Sequence, residues 1–126
     1  AKAKIGTVGA RVTVFGLTFK EDCPDLRNSK VPEILAELKK FGCELQVHDP
    51  ICNPVEALNE FGVSLCAEED MLKSHAIILA VAHKSYRDWS VSQWEKLLMS
   101  NGVIVDIKNV LPKQQLQSAG HLVWKL

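Results

Sequence analysis

Ala76-Ile77-Ile78-Leu79-Ala80-Val81 is an unbroken apolar run of six residues. It is far short of the roughly 20 residues a membrane-spanning helix needs. It also lacks the alternation of a strand with one wet face. It therefore reads as a strand buried on both faces, as in parallel sheets that carry helices above and below. Val103-Ile104-Val105-Asp106 repeats the pattern downstream, and Val12-Thr13-Val14-Phe15 anticipates it upstream. Between these runs lie helical periodicities. Val31, Ile34, Leu35, Leu38 and Phe41 recur at helical spacing from near Lys30, with Ser29 as N-cap and Gly42 as stop. Further helices are expected over 55–61, 91–99 and 111–119. Glu44 to His48 reads as a strand ended by Asp49-Pro50, Val63 to Cys66 as a weak strand, and His121 to Trp124 as the last one. Strands separated by single helices predict an α/β fold: three layers, doubly wound, with a mainly parallel sheet and helices on both faces. Residues 1–10 have no regular pattern and read as an irregular leader or the tail of a missing upstream segment. Residues 11–126 read as one domain.

Composition removes several function classes. The 126 residues carry 15 basic and 15 acidic side chains, so no net field draws nucleic acid or an anionic membrane. Cys23, Cys43, Cys52 and Cys66 show no CxxC spacing, and no pair among His48, His75, His83 and His121 has metal-ligand spacing. Free thiols in a reducing cytosol, and no metal, are the expectation.

The segment leaving the first strand, Gly16-Leu17-Thr18-Phe19-Lys20-Glu21-Asp22-Cys23-Pro24-Asp25-Leu26-Arg27-Asn28-Ser29, is too long for an ordinary strand-to-helix link. Long loops of this kind carry function. It holds an aromatic, two cations and three acids. In open α/β sheets ligands bind beyond the carboxyl ends of the strands, where strand order reverses. That rule also selects Ala82 to Arg87 and Ile107-Lys108-Asn109. Lys20, Lys84 or Arg87, and Lys108 are thereby expected on one rim, a setting suited to phosphate. Neither GxxxxGK[ST] nor GxGxxG is present, so the Rossmann-like rhythm comes without the dinucleotide turn. A phosphoacceptor receiver fails, because the central strand ends in Val81-Ala82-His83 without an acceptor aspartate and no acidic pair follows the first strand.

The Gly16–Ser29 segment resembles the start of the C-terminal domain of the UDP-glucose/GDP-mannose dehydrogenase family. Val47-His48-Asp49-Pro50, Ala80-Val81-Ala82-His83 and Val105-Asp106-Ile107-Lys108 fit that family in order. The likeness spans residues 11–126. The loop wording and the Asp106-Ile107-Lys108 ending are most similar to the UDP-N-acetylhexosamine 6-dehydrogenases of surface-polysaccharide synthesis. The resemblance implies the UDP-binding domain of an NAD-dependent nucleotide-sugar 6-dehydrogenase, which oxidises a sugar C6 alcohol to a carboxylate in two NAD-dependent steps. It implies NAD bound mainly by a missing N-terminal domain. A missing central helix would carry the dimer contact, giving a homodimer or higher oligomer at full length in the cytoplasm. Carried over by motif, Phe19 and Lys20 contact the UDP-sugar and Arg27 reaches the NAD. Lys108 stands near where relatives acting on UDP-glucose place an arginine that contacts the substrate of the neighbouring subunit, and a lysine there loses the bidentate contact. The cysteine nucleophile lies in a motif not matched here, so no catalytic residue is assigned and the chain alone is expected to be inert. A non-catalytic nucleotide-binding or regulatory module of the same fold is the alternative.

Each residue also has a plain structural reading. Lys20 would otherwise be a solvated lysine, and Phe19 reads equally as substrate contact and as a plug beneath the loop. Arg27 would pair with Asp22 or Asp25, Asp25 would order the loop, and Asp49-Pro50 would make a turn. His83 reads as a hydrogen-bonded histidine at a strand end rather than a general base. Cys23 has no histidine nearby in sequence to activate it. Trp89 and Trp94 read as core or subunit contact, and Glu68-Glu69-Asp70 as the acidic start of a helical turn.

Overall fold

A computed structural model describes residues 9–125. The leader reading therefore lies, for residues 1–8, outside the described residues. Five strands, β1 (Arg11–Phe15), β2 (Glu44–His48), β3 (Ser74–Leu79), β4 (Leu98–Asp106) and β5 (Leu122–Lys125), form one sheet in the order β2-β1-β3-β4-β5. Every pairing is parallel. The helices are α1 (Val31–Lys40), α2 (Pro54–Phe61), α3 (Lys84–Arg87), α4 (Val91–Glu95) and α5 (Lys113–Ser118).

Strand residues alternate between two cores, as the period of two demands. Val12, Val14 and Val47 meet Val31 and Leu35 of α1 and Ala57 of α2 on one face. Phe15, Ile77, Leu79, Ile104 and Val123 meet Tyr86, Trp94 and Leu116 on the other. The second core is aromatic: Phe15 and Trp94 stack edge-on at 5.1 Å, and Trp89 lies 4.7 Å from Trp94. Both tryptophans are thus core residues. The expected three layers, parallel sheet and helices on both faces are present.

Three local expectations are corrected. Val63 to Cys66 forms no strand; its one bond to the sheet is Cys66 N–H to the Val47 carbonyl at 2.7 Å, while Val63 N–H donates to the Ala57 carbonyl of α2 at 3.3 Å. The helix expected over 91–99 stops at Glu95, because Leu98 opens β4 by pairing with Ser74. Ser29 is not the residue at the N-cap of α1. Lys30 stands there without a side-chain bond, while the Ser29 hydroxyl accepts from Val31 N–H at 3.2 Å. Glu68–Asp70 is a single 3-10 turn.

Candidate functional site

In the order β2-β1-β3-β4-β5 the chain leaves β1 toward one edge and β3 toward the other, so the crevice of the fold opens beyond these neighbours. Gly16 and Val81 line its floor. Gly16 has φ +97°, and a Cβ built on it would lie 2.5 Å from Val81 Cβ and 2.7 Å from Val81 N. Only glycine admits that approach.

The long loop is anchored by apolar side chains and closed on itself. Leu17 and Leu26 are buried in the core on either side of it. Phe19 N–H donates to the Asp25 carbonyl at 2.8 Å, and the Ser29 hydroxyl donates to the Leu17 carbonyl at 2.6 Å. These ties leave the tip outside. Phe19 is 51% exposed, which removes its reading as a plug, since Leu17 and Leu26 fill that role. Lys20 is exposed and makes no ion pair with a described residue. Arg27 follows the structural reading in part: its Nε and Nη2 meet the two oxygens of Asp25 at 3.1 and 3.3 Å. The guanidinium remains 87% exposed. This hydrogen bond lowers the Asp25 carboxyl pKa and raises that of Arg27. Asp25 also accepts Arg27 N–H at 2.9 Å, the loop-ordering role read from the sequence.

Asp49 is the buried hub of the crevice. One of its oxygens accepts Leu17 N–H at 2.7 Å, Thr18 N–H at 3.2 Å and His83 Nε2–H at 2.9 Å. The other accepts the amides of Ile51 and Cys52 at 2.8 and 2.9 Å. Burial pushes this carboxyl up, but His83 and the amides of Leu17 and Ile51 outweigh it and hold it at about 2. With both oxygens spent on the protein, Asp49 is a device for shaping loops rather than a ribose ligand. Asp106 does the same work at the end of β4. It accepts Val110 N–H at 3.2 Å and Leu111 N–H at 2.9 Å, and Lys108 projects from the turn between them, exposed.

The cations of the rim divide into two groups. Arg87 is committed inward: Nη1 donates to the Ala82 carbonyl at 2.6 Å and Nη2 lies 3.6 Å from Asp22. Lys84 pairs with Asp88 at 2.9 Å. Lys20 and Lys108 remain, at the carboxyl ends of β1 and β4. One strand separates these, so their strands lie about 10 Å apart. Two adjoining clefts of about 600 and 610 Å³ open instead on the Arg27 side of the loop. Asp25 and Glu56 line both and Glu60 the first, with Arg27 as the single cation of each. The acidic lining disfavours an anion there, whereas Lys20 and Lys108 are exposed at the carboxyl ends of their strands.

No group of three or more metal-ligating side chains occurs among the described residues. Burial pushes the Cys52 thiol up to about 11 and raises Cys66 as well, away from the reactive thiolate range. The sequence reading missed the buried carboxylates as organisers of the site. An acid closing an apolar strand, as in Val47-His48-Asp49 and Val105-Asp106, was the available signal.

Residues 13–113 match the family model described as the UDP-glucose/GDP-mannose dehydrogenase family, UDP binding domain. A UDP-N-acetyl-D-glucosamine 6-dehydrogenase of Pseudomonas aeruginosa is 37% identical over 114 residues, covering 90% of this chain and 27% of the relative. Protein CapL of Staphylococcus aureus is 37% identical over 118 residues, covering 94% and 27%. The chain thus spans about a quarter of the length of these relatives. Among solved structures, an NDP-N-acetyl-D-galactosaminuronic acid dehydrogenase of Methanosarcina mazei Go1 superposes with a TM-score of 0.84 at 24% identity, over 97% of this chain and 25% of that one. That likeness bears on the fold.

Proposed function

This chain belongs to the UDP-glucose/GDP-mannose dehydrogenase family as its UDP-binding domain, and from that premise we propose that it is the substrate-holding part of an NAD-dependent nucleotide-sugar 6-dehydrogenase. The observation that carries the site is the Phe19-Lys20 tip: it stands at the strand-order reversal, exposed, on a loop whose Asp22, Asp25 and Ser29 side chains are spent on the fold. In this reading the aromatic face of Phe19 and the ammonium of Lys20 receive the UDP-sugar, and Lys108 adds a point charge two strands away. Arg27 keeps its Nη1 edge free of Asp25, and its exposed guanidinium reaches the NAD held by the N-terminal domain of the full-length polypeptide. NAD supplies the hydride acceptor for the two oxidations of the sugar C6 alcohol to a carboxylate. The nucleophile lies outside this chain, which alone binds and does not catalyse. The whole enzyme works in the cytoplasm as a homodimer or larger assembly through a central helix, within surface-polysaccharide synthesis, and its substrate is a UDP-N-acetylhexosamine.

Lys20→Ala is expected to weaken UDP binding by this chain about tenfold, the worth of one charge-assisted hydrogen bond. Titration with UDP followed by amide NMR measures it, with shifts expected over residues 16–29 and at Lys108. An unchanged dissociation constant would remove Lys20 from the site. In the full-length enzyme, assayed with NAD against a panel of UDP-sugars, Arg27→Ala is expected to raise the KM for NAD about fivefold or more while leaving that for the UDP-sugar near its original value. Unaltered NAD dependence would end the cross-domain role.

A further inference from the structure

The crevice is bridged by one imidazole whose protonation follows from its neighbours. His83 is fully buried just beyond β3. The backbone N–H of Asp22 lies 2.9 Å from its Nδ1. A backbone amide can only donate, so Nδ1 carries the lone pair. The ring proton therefore sits on Nε2. It is donated to Asp49 at 2.9 Å and shared with the Thr18 hydroxyl oxygen at 3.3 Å. Thr18 is free to accept, because its own proton goes to the Lys20 carbonyl at 3.1 Å. His83 is thus a neutral Nε2–H tautomer that holds β2's end and the start of the functional loop at Thr18 through one nitrogen, and the loop farther on at Asp22 through the other.

The loop side of this bridge is set under strain. Asp22 has φ +60°, the left-handed region that aspartate enters more readily than most residues. It is held there by three ties to the segment after β3: its amide to His83, its carboxylate to Lys84 N–H at 2.8 Å, and Arg87 at 3.6 Å. Phe19 and Lys20 lie between the two points that His83 grips, Thr18 and Asp22. We propose that His83 is a positioning residue for the ligand site: its neutral tautomer latches the loop across the strand-order reversal and sets the direction in which Phe19 and Lys20 project. The inference rests on the reading of that tip as the UDP-contacting group.

Two amide substitutions separate the halves of the latch. In His83→Asn the side-chain oxygen takes the place of Nδ1, keeping the acceptor for Asp22 N–H and losing the donor shared by Asp49 and Thr18. In His83→Gln the side-chain nitrogen takes the place of Nε2, keeping the donor to Asp49 and losing the acceptor. A merely structural histidine would rank the two variants alike in stability and in binding. The latch reverses the ranking: His83→Asn is the less stable variant, yet keeps slow Asp22 amide exchange and a UDP dissociation constant within about threefold of the parent. His83→Gln is expected to show roughly tenfold faster exchange at Asp22 and roughly tenfold weaker UDP binding, the loss of one hydrogen bond in each. Long-range nitrogen NMR of the parent chain reads the tautomer without any variant, and a proton on Nδ1 would overturn the proposal. So would equal Asp22 exchange in the two variants, or loosened exchange with undiminished UDP affinity. If the parent chain binds no UDP at millimolar concentration, the reading of the tip falls. The contrast in exchange and the tautomer then decide the latch alone.

Discussion

Gly16→Ala is expected to cost about 3–5 kcal/mol and to lower the melting temperature by well over ten degrees. Two independent penalties combine. Alanine at φ +97° is strained whatever surrounds it, at about 1–2 kcal/mol. The added methyl would also lie 2.5 Å from Val81 Cβ, 2.7 Å from Val81 N and 2.9 Å from Val81 Cα. Two of those three atoms are backbone, so no rotamer change relieves the clash. Relief requires the loops after β1 and β3 to part, and they are fixed by Ala80 and Val81 N–H both donating to the Phe15 carbonyl at 2.9 and 3.3 Å. Gly62→Ala is the control. Its φ is +67° but nothing stands within 4 Å of the new methyl, so only the conformational cost of about 1 kcal/mol applies. Urea unfolding of both variants checks the difference. If Gly16→Ala is no less stable than Gly62→Ala, the close approach of the strands does not hold the crevice shut.

What could be read beforehand follows the range of the interactions. The parallel sheet was legible because Ala76–Val81 and Val103–Asp106 have to be apolar on both faces, and that requirement is written within each strand. The role of Asp25 was legible because its partner Arg27 lies two residues away; Ser29 was set one position off because its hydroxyl also donates to the Leu17 carbonyl, twelve residues earlier. The edges of elements were not. Leu97 and Leu98 suit a helical face and a strand equally, and pairing with Ser74, 24 positions earlier, decides for the strand from Leu98. Val63–Cys66 alternates like a strand but meets only one ladder bond at the sheet edge. His83 was read correctly as a hydrogen-bonded histidine at a strand end. Its partners were not legible, because Asp49 lies 34 residues away and Asp22 lies 61 away. Phe19 was undecided for a related reason: only the burial of Leu17 and Leu26 leaves it nothing to plug.

Asp49→Asn is expected to destabilise the domain by about 3–5 kcal/mol, because five donors converge on a buried group that would lose its charge and half its acceptor capacity. Whichever way the new amide turns, its NH2 faces N–H groups. One orientation strands Ile51 and Cys52, and the other strands Leu17, Thr18 and His83. The second would free the very start of the functional loop, so UDP affinity should fall with stability. The parent's pH dependence provides a separate check. The folded carboxyl stands at about 2 against an ordinary 3.8. A lowered value stabilises the fold above the unfolded pKa, and that contribution is lost as pH falls from about 5 through 2. A difference of about 1.8 in pKa corresponds to roughly 2.5 kcal/mol. Asp25 is lowered as well, but its exposed pair with Arg27 contributes little. Unfolding free energies measured between pH 2 and 7 should therefore slope downward toward acid in the parent and lie much flatter in Asp49→Asn. Parallel profiles would mean that the acid limb comes from other carboxylates. The hub would then be a turn of the chain and no more.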